Sequence, residues 1–518
     1  MSNRKPKETQ KNTEEREQVN DPEHPRTEPR ADRAIGTGRT RFGPRVPGGT
    51  DLRAASPDGD AGEADDDPQE DDIPWAERSF GPRCRTPRPR DPGQQILRGS
   101  GREFVVDPRD PTAFTEIDDA VAAAEDGDRI LVRPGTYTTP VVVDRAVSIE
   151  GTGELALTVL QPLGGEAIGF AASGGRVERL TIRPARTGND GMDWSAVAVH
   201  DVEAIVEGCT LSSHLGATVC VGGSGSSLLV IDCDLVDGAQ HSVWVTEGGR
   251  ARIAASRIAG HAWSATAEDR HSELRIEGCE FVDNLGDGAS ATGGALLVVE
   301  NSTIRRNAGN GVCLTNAAPA SRVTGCTIEG NMLAGVLIVG GRSAEIRGNR
   351  IVSNDAGVGV MGHAAPVVTG NTIEGNCTGV GSRGEGAEPL VAGNVITRSS
   401  VAGISVDEEA GGQFDGNTVG ESRRWGIWLD NEGTLARFSG NQVSASGREA
   451  VFVSNGAAGH FSANDLRGNH AGSWTFTDPG SVVRDGNLED LGAAAGDPLG
   501  LIRQPWVPAA LPDPRLVN

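Results

Sequence analysis

Between Gly208 and Asn469, apolar and polar residues alternate in short runs, as in Ala344-Glu345-Ile346-Arg347, Asn349-Arg350-Ile351-Val352 and Gly357-Val358-Gly359-Val360-Met361. Alternation at a period of two predicts strands with one buried face. Sets of three runs recur, marked by a phrase Gly-(Asn or Cys)-x-(Ile, Val or Leu) at Gly208-Cys209, Gly278-Cys279, Gly325-Cys326, Gly348-Asn349, Gly370-Asn371, Gly393-Asn394, Gly416-Asn417 and Gly440-Asn441. With weaker copies at Cys233, Ser256, Ser302 and Asn464, every step is 22 to 24 residues. Leucine-rich repeats of this length need a Leu-x-x-Leu-x-Leu consensus that is missing, and helical repeats are longer. Three strands per repeat, with Gly and Asn at the corners, predict a parallel β-helix whose coils hydrogen-bond to one another about 4.8 Å apart.

A second column follows five residues after the first: Asn284, Asn307, Asn331, Asn354, Asn376, Ser399, Ser422, Ser446 and Asn469. Asn tolerates the left-handed backbone of a tight corner, and its amide can bond to its counterpart one coil away. Both Asn columns are therefore expected to be structural ladders, the competing reading being a polar ligand track.

Ahead of the repeats, Phe114, Ile117, Val121 and Ala124 fall at helical spacing behind Pro111, predicting a helix over 113–124 that ends before Gly127 and plugs the first coil. Strands follow at Ile130-Leu131-Val132, Val141-Val142-Val143 and Val147-Ser148-Ile149. This entry segment, with Pro134-Gly135-Thr136-Tyr137 and the repeats, resembles the right-handed parallel β-helix (pectin-lyase-like) superfamily over residues 104–470. The resemblance implies an all-β, single-stranded right-handed solenoid with an N-terminal capping helix. The expected layout is a disordered, charged, Pro-rich arm over 1–100, the solenoid over 101–470 and a C-terminal cap or tail over 471–518.

The net charge of −24 argues against a nucleic-acid binder, which needs a basic stripe to neutralise phosphates. No apolar run reaches membrane-spanning length and no leader follows Met1, so a cytoplasmic protein without a membrane partner is expected. Cys209, Cys233, Cys279 and Cys326 share one column and read as small buried fillers. A Cys209–Cys233 disulfide is geometrically open but disfavoured in a reducing compartment, and no Cys or His spacing indicates zinc; no cofactor or metal is expected.

Alternation also assigns the outward positions of the strand that ends each coil: His200, Thr246, Glu268, Thr315, Val339, Met361, Arg383, Asp407, Asp430 and Ser454. Two clusters emerge. The first joins an insertion that breaks the period (Arg186, Asp190, Asp193, Trp194) with His200, His241, Trp244 and Glu268. The second joins Arg383, Glu408, Trp425 and Trp428 with Asp407 and Asp430, the candidate catalytic pair, which one coil step places at a spacing where one carboxyl can keep its proton while the other stays charged. Comparison with the superfamily's known active sites is mostly negative: Gly286-Asp287-Gly288 and Gly362-His363-Ala364 are fragments of polygalacturonase-like motifs, and Asp107-Pro108-Arg109-Asp110 lacks the His of the alginate-epimerase-like motif. The leading expectation is accordingly a recognition or scaffold β-helix binding a protein or polysaccharide partner. The alternative is a carbohydrate-active lyase, hydrolase or epimerase.

Overall fold

A computed structural model describes residues 101–185 and 194–490. The expected disordered arm over 1–100, the insertion residues Arg186, Asp190 and Asp193, and residues 491–518 lie outside that range. The described chain winds into a parallel solenoid of three sheets, here sheets 1, 2 and 3, with 17, 14 and 15 strands. In one coil Arg342–Arg347 belongs to sheet 1, Arg350–Val352 to sheet 2 and Ala356–Met361 to sheet 3. Each strand pairs in parallel with its equivalent one coil away, for example Val336 with Val358 and Ile351 with Ile373.

The repeated glycine is explained by the corner before sheet 2. Gly325, Gly348, Gly370, Gly393, Gly416 and Gly440 all have φ of 60–64°, left-handed backbone that costs glycine little. The next residue builds the first ladder: the Asn349 backbone N–H and Nδ2 donate to Asn371 Oδ1 at 2.9 and 3.0 Å, and Asn371 Nδ2 donates to Asn394 Oδ1 and to the Ile346 carbonyl at 2.9 Å. Asn284, Asn307, Asn331, Asn354 and Asn376 repeat the device at the next corner. The asparagines are not themselves left-handed. In this second column that conformation belongs to the preceding residue, such as Asp283, Arg306 or Ser353.

The core is one continuous stack of inward aliphatic side chains, with the stacked rings of Phe414, Phe438 and Phe461 near its C-terminal end. Cys209, Cys233, Cys279 and Cys326 are buried free thiols in their column. The Cys209 N–H donates to the Cys233 sulfur at 3.4 Å, the ladder bond an asparagine would otherwise accept.

Two boundaries differ from expectation. The capping helix, α1, spans only Ile117–Ala123, because Phe114 forms an isolated bridge with Val106 and so belongs to extended chain. The solenoid does not fade at Asn469. Trp474–Thr477 and Val482–Asp485 extend sheets 3 and 1, and Asn487 continues the Asn ladder from Asn464, so the coils reach residue 488.

Candidate active site

Every outward position assigned on sheet 3 from Thr315 to Asp407 falls into one file: Thr315 pairs with Val339, Val339 with Met361, Met361 with Arg383 and Arg383 with Asp407. Asp430 continues it, its N–H donating to the Val406 carbonyl at 3.0 Å. The same file contains His200 and Thr246, both paired with Gly222.

At the C-terminal end the file becomes chemically distinctive. Asp407 closes the strand Ala402–Asp407 and is 3% exposed. Its Oδ1 accepts no hydrogen bond and lies 3.5 Å from Arg383 Nε, an ion-pair distance. Arg383 is held away by Glu408, to whose Oε2 its Nε donates at 2.7 Å. Burial pushes the Asp407 carboxyl up to about 7; Glu408 and Asp430 push the same way and Arg383 opposes them. Pairing with Arg383 holds Glu408 below the usual carboxylate range. Asp430, one coil on, is a hydrogen-bonded acceptor: Ser454 Oγ and Asn455 Nδ2 both donate to its Oδ1 at 2.7 Å. The structure thus sets a carboxyl group with raised proton affinity beside a carboxylate fixed by two donors, with an arginine between the first and a third carboxylate. This is the arrangement that divides acid and base roles between two like groups.

The aromatic neighbours correct one expectation. Trp428 and Trp425, grouped with the carboxylates as candidate ligand-binding neighbours, are only 6% and 8% exposed. Trp425 stacks on Phe452 with centroids 4.9 Å apart and lies 5.2 Å from Trp428. They pack on one another and on Phe452 and present no free face. The polar corner after the strand is more open, with Glu408 about half exposed.

The N-terminal cluster is a separate place. Seven strand positions along sheet 3 divide Trp244 from Ser405, so the clusters stand roughly 34 Å apart at about 4.8 Å per coil. His241 stacks on Trp244 at 5.8 Å and leans on Trp263 at 5.7 Å, and burial pushes its imidazole down to about 4. Burial also pushes Glu268 up. His200 lies 3.3 Å from Asp201, and Trp194 is buried. Among the described residues of this cluster, His200 with Asp201 is the acid–base contact that the structure brings together.

Sequence reasoning missed Asn455, the corner residue that fixes Asp430, and the grouping of Asp287, read only as part of a motif fragment, with Asn310 and Cys313. Asp287 Oδ1 accepts from Asn310 N and Nδ2 at 2.6 and 2.9 Å, and burial pushes both Asp287 and Cys313 up. Carrying the coil register one residue past the outward file, onto Glu408, Asn431 and Asn455, would have exposed the first. Among the described residues no group of three or more His, Cys, Asp or Glu side chains could hold a metal, and no helix is long and apolar enough to cross a membrane. A surface depression of about 410 Å³ at the opposite corner, lined by Asp232, Arg257 and Glu280, joins none of these groups.

Such a three-sheet parallel coil with a charged file on one face defines the class of protein. The family model described as "right handed beta helix region" matches residues 195–351 and 341–488, more than half of the chain, and the chain belongs to that family. No curated protein matches it in sequence. Solved structures similar to it include a double mutant of the periplasmic alginate epimerase AlgG (15% identity, 68% of this chain and 79% of that one, TM-score 0.37). The catalytic unit of an α-1,3-glucanase from Streptomyces thermodiastaticus (17%, 76% and 70%, 0.35) and a mannuronan C-5 epimerase A-module from Azotobacter vinelandii (14%, 73% and 94%, 0.34) are others.

Proposed function

We propose that this β-helix is a carbohydrate-active enzyme that cleaves a glycosidic bond by acid–base chemistry at Asp407 and Asp430. The observation that carries the reading is the Asp407 carboxyl, 3% exposed, with an oxygen that accepts no hydrogen bond and a proton affinity raised to about 7. A scaffold has no use for a buried acid whose only ion-pair contact, Arg383 at 3.5 Å, leaves its proton affinity raised, whereas a general acid must hold its proton near neutral pH. In this role Asp407 gives its proton to the glycosidic oxygen as the bond to the anomeric carbon breaks. Asp430, oriented by Ser454 and Asn455, bonds to that carbon as the leaving sugar departs, and water then hydrolyses the glycosyl ester, its proton returning to Asp407. Adjacent coils set the two backbones about 4.8 Å apart, which suits the close carboxyl spacing of a retaining mechanism. Arg383 is a positioning residue that tunes Asp407 through its contest with Glu408.

The test is release of reducing ends from a panel of neutral and uronate polysaccharides across pH 4–9. Activity should fall as pH rises through about 7, and Asp407→Asn should abolish it while leaving the fold intact. A panel without turnover at any pH, or an Asp407→Asn chain as active as its parent, would sink the reading.

A further inference from the structure

In the first ladder, two thiols follow one another beside a hollow in the surface. Cys209 and Cys233 occupy consecutive coils, directly ahead of Thr210 and Asp234, which pair in the sheet 2 register. One coil step of about 4.8 Å falls within the roughly 4.4–6.8 Å that a disulfide spans between α-carbons. The Cys209 N–H already donates to the Cys233 sulfur at 3.4 Å. Cys279 and Cys326 have no thiol next in the column: their N–H groups donate to Ser302 Oγ at 3.1 Å and Asn349 Oδ1 at 2.9 Å. The depression of about 410 Å³, at the corner between sheets 1 and 2, is lined by Cys233 and Cys279 and not by Cys209.

We propose that Cys233 and Cys209 are a thiol–disulfide exchange site, at which a small disulfide entering the depression is reduced and the two coils become cross-linked. The Cys233 thiolate attacks one sulfur of the small disulfide and forms a mixed disulfide, and the Cys233 proton leaves on the first small thiol. Cys209 then attacks the Cys233 sulfur, closing the bond between the coils and releasing the second small thiol with the Cys209 proton. Two protein thiols are oxidised and one disulfide is reduced to two thiols, with no further reactant. Two features give the same order of attack. Cys233 is the member of the pair that lines the depression. A hydrogen bond from Cys209 holds the Cys233 thiol below its ordinary value against burial, while burial pushes Cys209 well above its own, and the thiolate is the attacking form. Cys279 lines the same depression without either advantage, since burial pushes its thiol up to about 11 and no thiol is next to it in the ladder. The rim sets a preference among disulfides. Asp232, Asp234 and Glu280 outnumber Arg257, which lies 3.9 Å from Glu280, so a disulfide carrying amines is favoured over one carrying carboxylates. The inference does not depend on the enzymatic reading, and its test needs no polysaccharide.

The folded full chain is treated with cystamine, sampled over time, blocked at its remaining thiols in denaturant and mapped by peptide mass. A Cys209–Cys233 cross-link should form, reverse with dithiothreitol, and consume Cys233 at least about tenfold faster than Cys279 is modified. Cys209→Ser should stop the reaction at one cysteamine on Cys233, and glutathione disulfide should react more slowly than cystamine with the parent. The proposal is overturned if Cys279 is modified as fast as Cys233, because access alone would then explain the reaction. A cross-link that forms only at urea concentrations that unfold the coils also overturns it, a result read on the parent chain whether or not Cys209→Ser folds. Equal rates with cystamine and glutathione disulfide would remove the depression as the route.

Discussion

At the scale of single residues, Asp407 couples stability to pH in the direction opposite to most carboxylates. Its folded-state proton affinity is raised from 3.8 to about 7, so the native state holds a proton that the unfolded chain releases. The resulting stabilisation is fully present below about pH 4 and is lost as pH rises through 7. Replacing the group with Asn removes the penalty of ionising it. Asp407→Asn should therefore be more stable than the parent at pH 8, by up to about 4 kcal/mol at 1.4 kcal/mol per unit, and equal to it near pH 4. Urea unfolding at pH 4, 6 and 8 checks both ends; a variant weaker at pH 8 would show that Asp407 is a structural ion-pair partner of Arg383. Position alone did not announce this chemistry. The sequence places Asp407 and Asp430 in one file, but the raised acid comes from burial of the Asp407 carboxyl, which no outward-facing pattern foretells.

At the scale of elements, the corners hold the coils together. Asn371 accepts two hydrogen bonds from Asn349 and donates two, to Asn394 and Ile346, all within the buried stack. Asn371→Ala leaves buried amide and carbonyl groups without partners and should cost about 2–4 kcal/mol, measured as a lower urea midpoint with unchanged slope. A loss under 0.5 kcal/mol would mean that water replaces the ladder. These corners are also why the fold was so legible. A left-handed backbone demands Gly, a laddered amide demands Asn, and both recur every coil, so the period is written in residue types that few other architectures need. Legibility failed where an element is spent otherwise. The helical spacing of Phe114 with Ile117 and Val121 was real, but Phe114 pairs as extended chain, and the Glu116 carboxylate reaches forward to the amides of Thr138 and Thr139 and caps nothing. The last coil escaped because Gly486-Asn487-Leu488-Glu489 keeps the ladder residue but moves its apolar partner one place early.

At the scale of the whole molecule, a solenoid gains stability by adding coils and is vulnerable only at its ends, where unpaired strand edges invite another chain. The first coil is protected by α1 (Ile117–Ala123), whose Ile117 and Val121 are 1% exposed against the core. The net charge of −24 adds a second, longer-range protection, since two such chains repel as they approach end to end. The two safeguards should be separable. Val121→Lys drives a charge into the seat of α1 and lifts it from the coil, leaving repulsion as the only barrier to stacking. The variant should stay monomeric at 10 mM salt, where the screening length is about 30 Å, and associate at 0.5 M, where the length falls to a few ångström. The parent should be monomeric at both. Light scattering at the two salt concentrations, with circular dichroism to confirm that the coils persist, distinguishes the outcomes. Should Val121→Lys remain monomeric at high salt while α1 becomes protease-sensitive, the helix would be an ornament on an edge already protected by the twist and charge of the strand Glu103–Val106.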